Sequence, residues 1–288
     1  MYCCGYPIKH TVSVDESGRG EYEVTLNGEV VYEGVVQTPN GGAGEVEVDL
    51  SDIFSEYLDT NFEDFDNLSG TSDKAVKTFS VDGTSYQVAY NYNTDYVLEI
   101  ENGAVVNFPV TYDVDPRMYI GQSIMSDSGI SATHNRMSGS PGTIIKIGNY
   151  DFRLTKECKN RYALYYVNEY GGIDYLLCSG KVVDKYNTKR TEAKLYADMS
   201  DRKTFSTKRI YQDVSKRYEL NTGWMQDDRA ANIHHLIYSP KIWIHSLETD
   251  TITACNIDDT AYTIRNYKND KLLNYTINLT ESKTLKRR

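Results

Sequence analysis

The sequence predicts a mainly β chain of two tandem β-sandwich-like domains with one short helix in each. Composition gives the first reason. Val, Ile, Thr and Tyr number 21, 19, 25 and 25 among 288 residues, whereas Ala and Leu number only 12 and 17, which suits pleated strands rather than helices. Turn dipeptides give the second: Asn27-Gly28, Asp82-Gly83 and Asn102-Gly103 separate short alternating segments in the first half. The third is size with charge. Single cores stop growing near about 250–300 residues, and the net charge of −10 divides into −17 over residues 1–144 and +7 over residues 145–288. These observations predict an acidic N-terminal β domain over 1–120, a Ser/Gly-rich linker or loop over 121–142, and a basic C-terminal β domain over 143–288.

In the first half, strands are expected at Glu21–Leu26, Val30–Val36, Glu45–Leu50, Ser85–Tyr92, Tyr96–Ile100 and Ala104–Thr111. Asn27-Gly28 joins the first two as a type I′ hairpin. A short helix is expected at Leu50–Leu58, with Ser51 as its cap, Asp52 near its positive end, and Ile53, Phe54, Tyr57 and Leu58 on one face. Residues 121–142 carry Ser and Gly without periodicity and predict a boundary.

The second half predicts strands at Thr143–Ile147 and Phe152–Thr155, then a hairpin in which Tyr162–Asn168 and Ile173–Cys178 flank Glu169-Tyr170-Gly171-Gly172. Two long extended stretches follow, Lys181–Met199 and Lys203–Leu220, joined near Asp201-Arg202. Ile210, Val214 and Tyr218 also fit a helical spacing, which leaves helix open there. A helix is expected over 224–238, from Trp224 to Tyr238, ended by Pro240. Strands Lys241–Leu247, Thr251–Ile257, Ala261–Tyr267 and Leu272–Leu279 complete the domain, followed by a mobile basic tail, Lys286-Arg287-Arg288.

Several kinds of chemistry lack their signatures. No run of about 18 apolar residues predicts a membrane span, and Met1 to Gly5 does not read as a signal peptide. Five cysteines, Cys3, Cys4, Cys158, Cys178 and Cys255, are odd in number and lack C-x-x-C spacing, so a reducing compartment is the simpler reading. Neither G-x-S-x-G nor a phosphate-binding glycine loop occurs, and no catalytic residue or cofactor is expected. His234 and His235 are neighbours on the expected helix, where side chains diverge by about 100°, so a structural role is favoured over metal binding. Asp59 to Asp66, and Asn91, Asn93 and Asp95, lack the glycine and glutamate of a calcium loop and read as solvated acidic segments. Tyrosines interleaved with Lys and Arg in the second half suit a nucleic-acid groove, but acids mixed among them fit a protein interface better.

The hairpin from Tyr162 to Lys181, Tyr-Ala-Leu-Tyr-Tyr-Val-Asn-Glu-Tyr-Gly-Gly-Ile-Asp-Tyr-Leu-Leu-Cys-Ser-Gly-Lys, resembles a segment of tail and tail-hub structural proteins of Bacteroides-infecting, crAss-like bacteriophages, where the pattern is L-Y-Y-x-N-x-Y-G-G-W-D. Ile173 stands where that pattern has Trp. The stretch Tyr218 to Asp228 with the following Leu236-to-His245 segment, and Asn27 to Gly34 leading to Glu47 to Leu58, are similar to further parts of the same proteins. The resemblance implies a non-enzymatic component of a virion tail, made in the host bacterial cytoplasm, assembling with itself in a ring and with other tail proteins or fibres. An acidic half beside a basic half offers the two unlike patches that a heterologous ring needs. The implied interface residues are Glu169, Tyr170, Gly171 and Gly172 at the hairpin tip, with His134 and Arg136 in the Ser/Gly-rich segment. The alternative is a glycan-binding host-recognition module in which Trp224, Trp243 and exposed tyrosines stack on sugars; a polysaccharide hydrolase would require two opposed carboxylates in a cleft.

Overall fold

Alternation of polar and apolar residues turns most of the chain into strands, as Lys-His-Thr-Val-Ser-Val shows by burying every second side chain. The structure is a computed structural model, and it describes residues 1–39, 41–60, 68–92, 100–158, 161–194, 207–226, 232–258, 272–283 and 285–287. The chain is mainly β and sandwich-like. Its first strands are β1 (Tyr2–Cys3), β2 (Lys9–Val14), β3 (Arg19–Leu26), β4 (Glu29–Gln37) and β5 (Gly44–Asp49), followed by helix α1 (Ser51–Ser55). Next come β6 (Gly70–Ser72), β7 (Val76–Val81), β8 (Thr84–Ala89), β9 (Asp113–Val114), β10 (Tyr119–Ser126), β11 (Gly129–Arg136), β12 (Ile144–Ile147) and β13 (Tyr150–Leu154). The remainder comprises β14 (Tyr162–Val167), β15 (Ile173–Cys178), β16 (Val182–Lys194), β17 (Thr207–Asn221), β18 (Met225–Gln226), α2 (Ile233–Ile237), β19 (Ile242–Ser246), β20 (Thr251–Ile257), β21 (Leu272–Leu273), β22 (Thr276–Glu281) and β23 (Leu285–Arg287).

The chain divides into two compact units, each assembled from separate stretches. Unit 1 comprises Met1–Phe108, Met118–Leu154 and Val167–Asp174; unit 2 comprises Pro109–Arg117, Thr155–Tyr166 and Tyr175–Arg288. A single boundary at 121–142 is therefore not how the chain divides. Residues 121–136 are hairpin strands β10 and β11, in full register from Tyr119↔Arg136 to Ser126↔Gly129. Ser131 and Thr133 are exposed on one face with Ile124, while Ser123 lies on the other with the buried Met125, Ile130 and Ala132. The charge split nevertheless follows the units: unit 1 holds 24 acids and 7 bases, unit 2 17 acids and 24 bases.

In unit 1, β1-β8-β7-β3-β4 form one sheet, with β1 parallel to β8 and the remaining pairs antiparallel. Strands β2 and β5 pair separately. Their core gathers Ile8, Val12, Val24, Leu50, Phe54, Phe79, Val81 and Val88, with Phe54 stacked on Phe79 at 4.4 Å. The Asn27-Gly28 and Asp82-Gly83 turns have positive φ at both central residues, as type I′ geometry requires. Helix α1 is shorter than expected and Ser51 does not cap it. Asp49 Oδ1 accepts the Ser51 and Ile8 N–H groups instead, while Phe54 and Leu58 are buried as expected. Ala104–Thr111 is not a strand: only Val105 forms a bridge, to Ile124, because polar side chains take the backbone groups beyond it. The strand expected at Tyr96–Ile100 lies largely outside the described residues.

In unit 2 one sheet runs β15-β14-β19-β20-β22-β17-β16, with β23 beside β17. Its core includes Val110, Leu164, Tyr166, Leu176, Tyr218, Leu220, Ile244 and Ile277. Strand rather than helix is adopted at Ile210, Val214 and Tyr218, all on β17. The single helix expected over 224–238 is corrected: Gly223 adopts φ +76, Met225 and Gln226 pair with β21, and helix occupies only Ile233–Ile237, with 227–231 outside the described residues. The basic C-terminal segment pairs through Leu285–Arg287 with Gln212–Val214. The strand expected at Ala261–Tyr267 and the junction at Asp201-Arg202 lie outside the described residues. All five cysteines are free.

A buried ion pair holds the first segment of unit 2. The Asp115 carboxylate accepts Arg117 Nε and Nη2, each at 2.8 Å, with Arg161 Nη1 at 3.7 Å. Arg117→Met leaves that carboxylate without its two-pronged partner and is expected to cost about 3 kcal/mol, read as a lower urea midpoint at unchanged slope.

Candidate functional site: a buried turn and two open sheet edges

The resemblance rests most heavily on the hairpin turn, and in the structure its residues are internal. Asn168 Oδ1 accepts the N–H groups of Tyr170 and Gly172, both at 3.0 Å, so the side chain closes the turn on itself. Its Nδ2 donates to Val106 O at 2.7 Å and to Asp174 Oδ2 at 2.8 Å. Asp174 Oδ1 in turn accepts the Phe108 N–H at 2.7 Å and Asn107 Nδ2 at 3.4 Å. Asn107 Nδ2 also reaches Ile173 O, and its Oδ1 accepts the Ser123 N–H. Ser123 Oγ receives the Ile173 N–H at 2.9 Å. The network lies entirely within unit 1.

Each glycine of the turn has its own reason. Gly171 adopts φ +81, and a Cβ there would come within 2.7 Å of both Ile130 Cδ1 and Thr60 Cγ2. A Cβ at Gly172 would overlap the Val106 carbonyl oxygen. Tyr170 is buried with its ring 5.2 Å from that of Phe108. The motif thus encodes a turn set into its own unit rather than a tip presented to a neighbour.

The structure places the expected interface residues as follows. Glu169, Tyr170, Gly171 and Gly172 are buried, and so is His134. Arg136 alone of the six is exposed; its guanidinium lies 4.7 Å above the Tyr119 ring, across the β10–β11 pair. The Gly-Gly pair reads as a loop tip because turn chemistry is the same whether water or protein surrounds it.

Two titratable groups here are shifted in opposite senses. Burial pushes the Asp174 carboxyl up to about 7, against the lowering effect of its Asn168, Phe108 and Asn107 donors. Burial pushes the His134 imidazole down to about 4, partly offset by hydrogen bonds to the carbonyls of Leu68 and Ile173. His10 and His245 are each held by neighbouring side chains. His10 meets Tyr86 Oη at 2.9 Å and Asp82 Oδ2 at 3.3 Å, and His245 meets Asp250 at 3.0 Å and Tyr165 Oη at 3.4 Å. The rings of His234 and His235 do not diverge as a regular helix implies; their centroids are 4.0 Å apart in this single-turn helix. Of the acid-rich segments, residues 61–67 and 93–99 lie outside the described residues.

Exposed strands lie elsewhere, at sheet edges. Strand β16 pairs with β17 along its whole length and ends its sheet, and nine consecutive residues, Asp184 to Glu192, are exposed. Because successive side chains point to opposite faces, both faces of this stretch are bare. Strand β4 ends the first sheet of unit 1 and exposes Val30, Tyr32 and Val35. The sequence carries a signal for β16: from Asp184 to Glu192 only Tyr186 is hydrophobic, so the run lacks the alternation of a half-buried strand.

Asn168→Ala strips four hydrogen bonds from a buried site and is expected to cost about 3–5 kcal/mol, measured by denaturant unfolding. The pH dependence has a definite sign. Since the folded His134 value lies below the ordinary 6.5, its contribution to stability is present above pH 6.5 and lost as pH falls toward 4. Asp174, raised from 3.8 to about 7, contributes the opposite slope, with stability lost as pH rises through that window. His134→Gln is therefore expected to expose a steady fall in unfolding free energy from pH 4 to 7 that the unsubstituted chain partly masks, on the order of 2–3 kcal/mol.

No protein-family model, no curated protein and no solved structure matches this chain.

Proposed function

We propose that the chain is a non-enzymatic structural component of a bacteriophage virion, a tail-hub or tail-adaptor protein that assembles with copies of itself, in a ring, and connects to other tail proteins or fibres. The observation that carries this reading is the bare strand β16. Long open strand edges are usually blunted or covered. A strand of 13 residues with nine in succession exposed is a surface made to be covered by another chain. The division of charge supports self-association, because an acidic unit 1 and a basic unit 2 attract head to tail and repel like to like. The resemblance of the Tyr162–Lys181 hairpin, and of the two further segments, to phage tail proteins supplies the virion context.

A second reading, the glycan-binding module, is favoured by one feature. A cleft of about 640 Å³ in unit 1 is lined by Tyr6, Tyr90 and Tyr92 with Asp52, Ser51 and Asn91, a mix of aromatic faces and polar groups suited to a sugar. Trp224 is exposed as that reading expects, whereas Trp243 is buried.

Light-scattering mass across concentration and salt separates the two. Assembly predicts a concentration-dependent oligomer that dissociates as salt shortens the screening length to below about 10 Å. A monomer at every concentration, with saturable glycan binding abolished by Tyr6→Ala, would instead establish the module.

A further inference from the structure

We propose that the assembly contact is strand addition between unlike edges: β4 of one copy pairs antiparallel with β16 of the next. The inference rests on the self-assembly reading above and names its interface. Edge β4 carries Glu29 and Glu33 with no Lys, Arg or Pro to block pairing, and exposes Tyr32 at 42% and Val35 at 54%. A groove of about 400 Å³ beside it is lined by Glu21, Glu23, Glu33 and Asp82, against the single base Arg19. Edge β16 carries Lys185, Lys189, Arg190 and Lys194 against Asp184 and Glu192. Each edge therefore repels its own kind, and the unlike pair attracts.

One register satisfies both faces at once. With Tyr32 opposite Tyr186, itself 67% exposed, Glu33 falls opposite Lys185, Val35 opposite Val183 and Val36 opposite Val182. Tyr32 and Val36 lie on the core side of their sheet, paired with Val24 and Gly20; Val182 and Tyr186 lie on the core side of theirs, paired with Leu220 and Lys216. Val36 and Val182 each pack against the core of their own unit. The joined strands thus continue core face with core face, while Glu33 and Lys185 meet on the outer face, as sheet pleating demands. Lys185 already pairs with Glu219 at 2.6 Å, but both groups are exposed and such a pair is readily exchanged.

The test uses the full chain in low salt. Glu33→Lys and Lys185→Glu, each alone, are expected to raise the concentration for half-assembly about tenfold or more, with unchanged thermal melting. Mixing the two variants in equal amounts is expected to restore assembly, because an alternating ring then sets opposite charges against each other at both kinds of junction. The two introduced side chains face one another at the first kind, and the native Glu33 and Lys185 do so at the second. If the single variants assemble like the parent chain, edge pairing is wrong while self-assembly stands. Dispersal without recovery on mixing also overturns it, and a parent chain that never associates overturns both readings.

Discussion

The carboxylate of Asp174, held inside unit 1 by Asn168, Asn107 and the Phe108 N–H, is the constraint around which the rest is arranged. A buried carboxyl is tolerated only where donors surround it. Here those donors come from two separated stretches, 107–108 and 168, and Ser123 from a third is tied in through Asn107 and Ile173. One acidic side chain thereby fixes the place where distant parts of the sequence meet. The turn it fixes belongs to unit 1, while the strands that lead into and out of it belong to unit 2.

Exposed strands and buried turns invert the usual division of labour. Loops commonly carry binding and sheets commonly carry the scaffold. In this chain the Gly-Gly turn is core, and the strands β4 and β16 are open edges. In the assembly proposed above, unlike charges on the two edges disfavour symmetric pairing and favour a directional contact that can close into a ring.

Much of the fold was legible because local chemistry decides it. Asn27-Gly28 and Asp82-Gly83 turn as their dipeptides require, and β3, β4, β5, β14, β15, β19 and β20 form where strands are expected. What was not legible is non-local. Residues 121–136 read as loop because Ser and Gly carry little strand propensity, yet pairing of β10 with β11 and of β11 with β6 overrides it. Ala104–Thr111 reads as strand, but Asn107 and Asp174 draw its backbone into the network. The same holds for the site: Glu169 to Gly172 have the letters of an exposed turn, and only their long-range partners reveal burial.

The interleaving of the two units sets a schedule for synthesis. Unit 1 needs residues up to Asp174 and unit 2 needs Pro109 as well as the C-terminal strands. Folding that follows the emerging chain domain by domain, the usual course for multidomain proteins, is closed to this one: the acidic unit stays unfinished until the hairpin turn has left the ribosome. During that interval the hydrophobic alternation of β2, β3 and β4 has no completed core to enter. Net negative charge along those nascent strands then has a second use, keeping chains on neighbouring ribosomes apart until each can close.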